Sequence, residues 1–218
     1  MKLGFGEMNV EQVCAAYGVE VGFFLEIANA YLDDDYVPAE QLSTIPLSTV
    51  VSYLTSTHTY YTDTALPEVE KNIYQLLERS DLSTKESALV KDFFNDYKKE
   101  FVEHLLEEEQ HVLPYILELE RQSTLDQPDV DFLKRLQNYS IREFEKGHDR
   151  LETSLENLSR LIIKYLPPCD DFQLCQDVLN QLSALVKDLV DHADMEDKIL
   201  IPRVAELEQN MLRTFLGS

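Results

Sequence analysis

The chain has no tryptophan, only six glycines and eight prolines in 218 residues, and three cysteines. So few turn-forming residues leave little material for the many tight turns of an all-β architecture. Abundant Leu, Glu, Lys and Gln favour helix throughout. Positive charge is scarce, with 19 Lys and Arg against 41 Asp and Glu and a formal net charge of −22. Phosphate recognition draws on clustered Lys and Arg, so this balance argues against a nucleic-acid or anionic-membrane partner and describes a solvated acidic surface. No apolar run is long enough to cross a bilayer, and no charged-then-apolar segment opens the chain. Without such a segment, Cys14, Cys169 and Cys175 read as reduced thiols of a cytoplasmic protein, a Cys169–Cys175 redox pair being the alternative. What is plentiful is apolar residues, 44% of the chain, enough for a sizeable core.

Within this material one pattern occurs twice. His104-Leu-Leu-Glu-Glu108-Glu-Gln-His-Val-Leu-Pro114 returns as His192-Ala-Asp-Met-Glu196-Asp-Lys-Ile-Leu-Ile-Pro202, each His being followed by a Glu four residues on and a Pro ten residues on. Four residues of α-helix turn through about 400°, so His and Glu share a face one turn apart. Taken alone, such a pair is more often a solvated surface pair. The register says otherwise. Phe94, Tyr97, Phe101, His104, Glu108, His111, Tyr115 step by 3 and 4 in alternation, as do Leu182, Leu185, Leu189, His192, Glu196, Ile199. Both pairs therefore interrupt an apolar seam, where an imidazole and a carboxylate are costly unless something pairs them.

Four of the five histidines, His58, His104, His148 and His192, are separated by 46, 44 and 44 residues, and each lies on an apolar stripe of helical period. At about 1.5 Å per residue such gaps bring the chain to a helix end and back to the same level. The expected fold is all-α: an antiparallel up-down four-helix bundle over 46–218, with His58, His104, Glu108, His148, His192 and Glu196 converging in one core layer as a metal site. Residues 1–45 read as a small N-terminal helical unit, with Asn9 capping a first helix that Gly18 ends, and a second helix from Val21 to Tyr31. Pro46 opens the first long helix, and Pro67 kinks or ends it locally. Ser83-x-x-Glu86 is a capping box for the second, running towards Arg121. The third is expected from Pro128 to Leu166, and Asp170 or Asp171 caps the fourth. Pro114 and Pro202 predict a kink beyond each His-Glu pair.

The stretches Glu103–Pro114, Gly147-His148-Asp149 and Asp188–Arg203 resemble the hemerythrin-like, or HHE cation-binding, domain. His58-Thr-Tyr-Tyr-Thr-Asp-Thr-Ala-Leu-Pro67, Asn9–Cys14 and Phe24–Asn29 are similar to the branch of di-iron proteins that repair iron–sulfur clusters. The resemblance implies two iron ions, with His58, His104, His148 and His192 as terminal ligands and Glu108 and Glu196 as bridging carboxylates. Imidazole suits iron, and hard carboxylates hold two cations close together, although Mn or Zn takes similar ligands. Two features depart from the branch: no histidine stands between His58 and His104, and Cys14 has no cysteine beside it. Glu152, four residues after His148, is either a replacement ligand or a solvated residue. His111 is an entry-path or core histidine rather than a ligand.

The resemblance implies a role in oxidative or nitrosative stress, with oxygen or nitric oxide as small-molecule partners and damaged iron–sulfur proteins as macromolecular ones. The alternative is a module that binds or senses those gases without net chemistry. A third reading, a metal-free helical interaction protein, would leave six polar ligands in a core. An open hydrophobic pocket would favour the gas-binding module, and acidic or tyrosyl groups beside the metals would favour redox chemistry.

Overall fold

Polar caps set the helix starts. Asn9 Oδ1 accepts from the Gln12 amide at 2.9 Å, and the Gln12 side chain accepts from the Asn9 amide at 3.0 Å. This box opens α1 (Val10–Tyr17), and Gly18, at φ 66°, closes it in the left-handed region where a side chain would be strained. The computed structural model describes residues 4–32, 45–79, 83–142, 157, 160, 162–164 and 171–217, and no strand occurs among the described residues. After α2 (Val21–Leu32) come α3 (Leu47–Tyr60), α4 (Leu66–Glu78), α5 (Thr84–Glu107), α6 (Leu113–Ser123), α7 (Val130–Leu136), α8 (Phe172–Met195) and α9 (Ile201–Leu216). Ser83 and Glu86 form the capping box of α5, and Asp171 caps α8 through the Leu174 amide.

Three pairs of these helices are continuous rods joined by a single π turn: Tyr61–Ala65, Glu108–Val112 and Glu196–Leu200. Each π turn ends on a five-residue hydrogen bond, from Leu66 to Tyr61, Leu113 to Glu108 and Ile201 to Glu196. Pro67, Pro114 and Pro202 then occupy the first turn of the following helix. A proline lacks the amide hydrogen for a four-residue bond, and its ring collides with the carbonyl four residues back. Widening the helix by one residue removes the collision without breaking the rod. The kinks expected at Pro114 and Pro202 are therefore π turns, and Pro67 has one too.

Packing gives the directions. α3 lies against α6 and α4 against α5, so the first two rods are antiparallel; α4 also lies against α8, and α9 against α6. The result is an all-α helical bundle whose apolar residues form two clusters. One gathers Leu47, Val50, Val51 and Leu54 with Val112–Leu119 residues, Phe132, Ile201 and Val204. The other gathers Tyr61, Leu66, Ile73, Phe94, Phe101, Leu182 and Leu189. Phe23 of α2 joins the first cluster and meets Tyr53 edge-on at 5.8 Å between ring centres. Glu120 of α6 caps α3, accepting from the Leu47 and Ser48 amides at 2.5 and 3.0 Å.

The helix expected from Pro128 to Leu166 is broken near its start. α7, capped by Asp129, ends at Leu136, and a turn at 137–138 with two irregular residues leads to a 3-10 turn at 141–142. Asn138 and Ser140 compete with helical bonding through their side chains. The break is held by Glu208 of α9, which is 5% exposed and accepts from the Tyr115 hydroxyl at 2.6 Å, the Ser140 hydroxyl at 3.2 Å and the Ile141 amide at 3.0 Å. Glu208→Ala removes the acceptor for one buried and two partly buried donors, and urea unfolding is expected to show a loss of about 2–4 kcal/mol. A loss under about 0.5 kcal/mol, typical of surface substitutions, would show that Glu208 is incidental to the break. Of the rest of the expected third helix, residues 157, 160 and 162–164 are described and helical, with Ile162 in the second cluster, whereas His148 and Glu152, and Cys169 beyond it, lie outside the described residues.

Candidate metal centre

The layer between the two apolar clusters is polar. His58 on α3, Glu108 and Glu196 at the first positions of two π turns, and His192 on α8 are all buried, with exposures of 1%, 1%, 1% and 8%. Each offers a ligand atom, and these atoms lie within 4.8 Å of one another. Glu108 faces two ways: Oε2 is 3.1 Å from His58 Nε2, and Oε1 is 2.7 Å from His104 Nε2. His192 Nε2 lies 3.6 Å from Glu196 Oε1 and 3.3 Å from His58 Nε2. His104 is 20% exposed and stands at the rim of the layer.

Burial dominates the electrostatics. The Glu196 carboxyl is pushed well above the usual range, first by loss of water and then by the negative fields of Glu108 and Asp197. Tyr61, buried against the layer, donates to the Asp188 carbonyl oxygen at 3.2 Å, and its ring meets His192 edge-on at 5.5 Å. Burial, followed by the Asp188 charge, raises the Tyr61 hydroxyl far above an ordinary phenol. Two carboxylates and two imidazoles converging in a dry layer are the donor set that suits a hard or borderline divalent cation such as iron, and a cation there would offset the like charge of the two Glu.

Of the residues singled out from sequence, the fold brings His58, His104, Glu108, His192 and Glu196 to one layer. His111 is not on the seam. The π turn at Glu108–Val112 absorbs one residue of the alternation, so Val112 turns into the core and His111 into solvent. The sequence reading also passed over Thr57, Tyr61 and Glu109. Thr57 Oγ1 is 3.1 Å from His192 Nδ1, and Glu109 Oε1 is 3.2 Å from His58 Nδ1. Counting back from the three prolines would have found two of them. Thr57, His104 and His192 each stand ten residues before a Pro; Tyr61, Glu108 and Glu196 stand six before it. The first rod is a third copy of the repeat, with Thr for His and Tyr for Glu, and its histidine one residue later.

Comparison with known proteins fits this arrangement. The chain is 23% identical over 112 residues to the iron-sulfur cluster repair protein ScdA of Staphylococcus haemolyticus (strain JCSC1435), a match covering 51% of this chain and 46% of that protein. The chain thus spans less than half the length of this relative, and no solved structure matches it. The family described as Hemerythrin HHE cation binding domain matches residues 62–204, a stretch that holds His104, Glu108, His192 and Glu196 and begins just after His58. With well over half of its length matched, the chain belongs to the hemerythrin HHE cation-binding family.

Proposed function

We propose that the chain is a non-haem di-iron protein of the cytoplasm, acting in oxidative or nitrosative stress and in the repair of iron–sulfur clusters. The observation that carries this is the buried quartet His58, Glu108, His192 and Glu196, whose ligand atoms fall within 4.8 Å. In this reading the quartet, with His104 and His148, holds two irons. Glu108, with one oxygen directed to His58 and the other to His104, is suited to serve both. Bound there, the irons would supply one-electron chemistry and exchangeable positions for oxygen or nitric oxide.

The chain's own residues prepare the site. Burial raises the Glu196 carboxyl well above its usual range, so wherever it still holds its proton an entering cation displaces it, and loading there is coupled to proton release. Leu54, Leu105, Leu189 and Met195, each within a helical turn of His58, Glu108, His192 or Glu196, are buried, while His104 at the rim is 20% exposed. Tyr61 beside His192 favours reactive chemistry over the alternative, a gas-binding module without net chemistry. The printed name of the ScdA relative supports repair, with damaged iron–sulfur proteins as partners.

Between His58 and His104 the sequence offers no further histidine, so the two irons would be unequally ligated unless Glu152 or another group takes its place. Titrating the iron-loaded, reduced protein in parallel with nitric oxide and a chelator is expected to show nitrosyl absorption and removal of one iron ahead of the other. Equal resistance of both irons to chelation, with no nitrosyl absorption, would replace the stress and repair reading with storage or structure.

A further inference from the structure

Each imidazole of the quartet is gripped at both of its nitrogens by two consecutive residues of another helix. His192 has Thr57 at Nδ1, 3.1 Å away, and His58 at Nε2, 3.3 Å away. His58 has Glu109 at Nδ1, 3.2 Å away, and Glu108 at Nε2, 3.1 Å away. The inner contacts belong to the metal layer. The outer ones are made by Thr57 and Glu109, which come from different rods.

Hydrogen-bond direction at these outer contacts is determined by what each partner can do. The Thr57 hydroxyl has a single hydrogen, and it lies 2.7 Å from the Leu54 carbonyl oxygen, which can only accept. That hydrogen is therefore committed to Leu54. Towards His192 the hydroxyl oxygen can act only as an acceptor, so His192 Nδ1 carries the hydrogen. Glu109 presents a carboxylate oxygen, again an acceptor, so His58 Nδ1 carries a hydrogen too. In a neutral imidazole the other nitrogen then bears the lone pair. Both lone pairs sit on Nε2, and the two Nε2 atoms face each other across 3.3 Å. Glu108 Oε2 and Glu196 Oε1 face the same space, at 3.1 and 3.6 Å from His58 Nε2 and His192 Nε2 respectively.

We infer that Thr57 and Glu109 are positioning residues: by accepting from Nδ1 of His192 and His58 they set both rings to the tautomer that presents Nε2 to one cation. With the opposite tautomers, two N–H groups would point at each other and no lone pair would be available to a metal. The inference also assigns the histidine position of the third repeat copy. Thr57 stands where His104 and His192 stand in the other rods, and it serves the histidine of a neighbouring rod instead of the metal. It rests on the metal-binding reading above.

The test is a cobalt(II) titration of the full chain and of Thr57→Val, Thr57→Ser, Glu109→Ala and Glu109→Gln, together with proton–nitrogen-15 correlation spectra of the zinc-loaded wild type. Thr57→Val and Glu109→Ala are expected to bind cobalt about 10–100-fold more weakly, the usual effect of losing an outer partner of a ligating histidine. Thr57→Ser and Glu109→Gln keep an acceptor oxygen and are expected to stay within a few-fold of wild type. The zinc-loaded spectra should show hydrogen on Nδ1 and metal on Nε2 at both rings. Metal on Nδ1 of either ring overturns the inference, as does wild-type affinity in both the Val and Ala variants. Should a variant fail to fold, the wild-type spectra still decide. If the wild type binds neither cobalt nor zinc, the metal-binding reading itself fails, a result distinct from wild-type binding that the outer variants leave unchanged.

Discussion

The double variant Glu108→Ala, Glu196→Ala is expected to purify with almost no iron, while His58→Ala retains a measurable share. Each carboxylate begins a π turn in the middle of the layer, and Glu108 reaches two imidazoles with its two oxygens. An imidazole serves one cation; a carboxylate placed in this way serves two, and both Glu also supply the negative charge that offsets a dication in a dry interior. Alanine at both positions leaves imidazoles alone to hold dications that carry their full charge. Each single Glu variant should lie between the double variant and His58→Ala. Iron quantitation on protein purified in parallel checks the order. Near-normal iron in the double variant would end the bridging assignment.

The second large effect is on stability and its pH dependence. For one site with free metal about 100-fold above its dissociation constant, binding adds about 2.7 kcal/mol, so two such sites add about 5 kcal/mol. For a chain of this size each kcal/mol moves the melting temperature by about 2–4 °C, so the metal-free protein should melt on the order of 10 °C or more below the loaded form. The pH slope of the metal-free form follows from Glu196. In the unfolded chain this carboxyl ionises near its ordinary 4.5; in the fold, burial and the charges of Glu108 and Asp197 hold its proton to higher pH. Across that interval the folded state binds more protons than the unfolded state, so stability is fully present at low pH and falls as pH rises through the folded value. Asp188, raised by burial, contributes in the same direction. Loading should reverse the trend, because a cation replaces the Glu196 proton and binds better as pH rises. Urea unfolding at about pH 5 and pH 8, with and without metal, separates the two slopes. A metal-free protein that gained stability on going to the higher pH would contradict the assignment.

Much of the centre was legible because polar residues on an apolar seam are conspicuous. His104 with Glu108 and His192 with Glu196 interrupt their stripes in the same register, and the spacing of His58, His104 and His192 returns these three to one level. Caps were legible for the same kind of local reason: Asn9, Ser83 and Asp171 have short side chains that reach the free amides of a first helical turn. Two things were hidden. A π turn adds a residue without leaving any gap in the hydrophobic pattern, so the alternation through Glu108, His111 and Tyr115 looked intact although the true seam steps to Val112. The roles of Thr57, Glu109 and Glu208 depend on partners 51 to 135 residues away along the chain, and no local periodicity reports a hydrogen bond of that range. The break after Leu136 belongs here as well, since its support comes from Glu208 in the middle of α9.

The polar layer also bears on cooperativity. Every described rod that crosses it does so through a widened turn, and on either side the apolar contacts close among themselves, one cluster around Leu54, Ile116 and Val204 and the other around Leu66, Phe94 and Leu182. A chain built in this way has two folding units that share backbone but little hydrophobic contact, and the joint between them is a buried layer of carboxyl and imidazole groups. A cation there acts as the coupling term: with it the two units open together, and without it each can open at its own free energy. Amide hydrogen exchange at Phe94 and at Val204, far from any ligand, would then report whether the centre is filled.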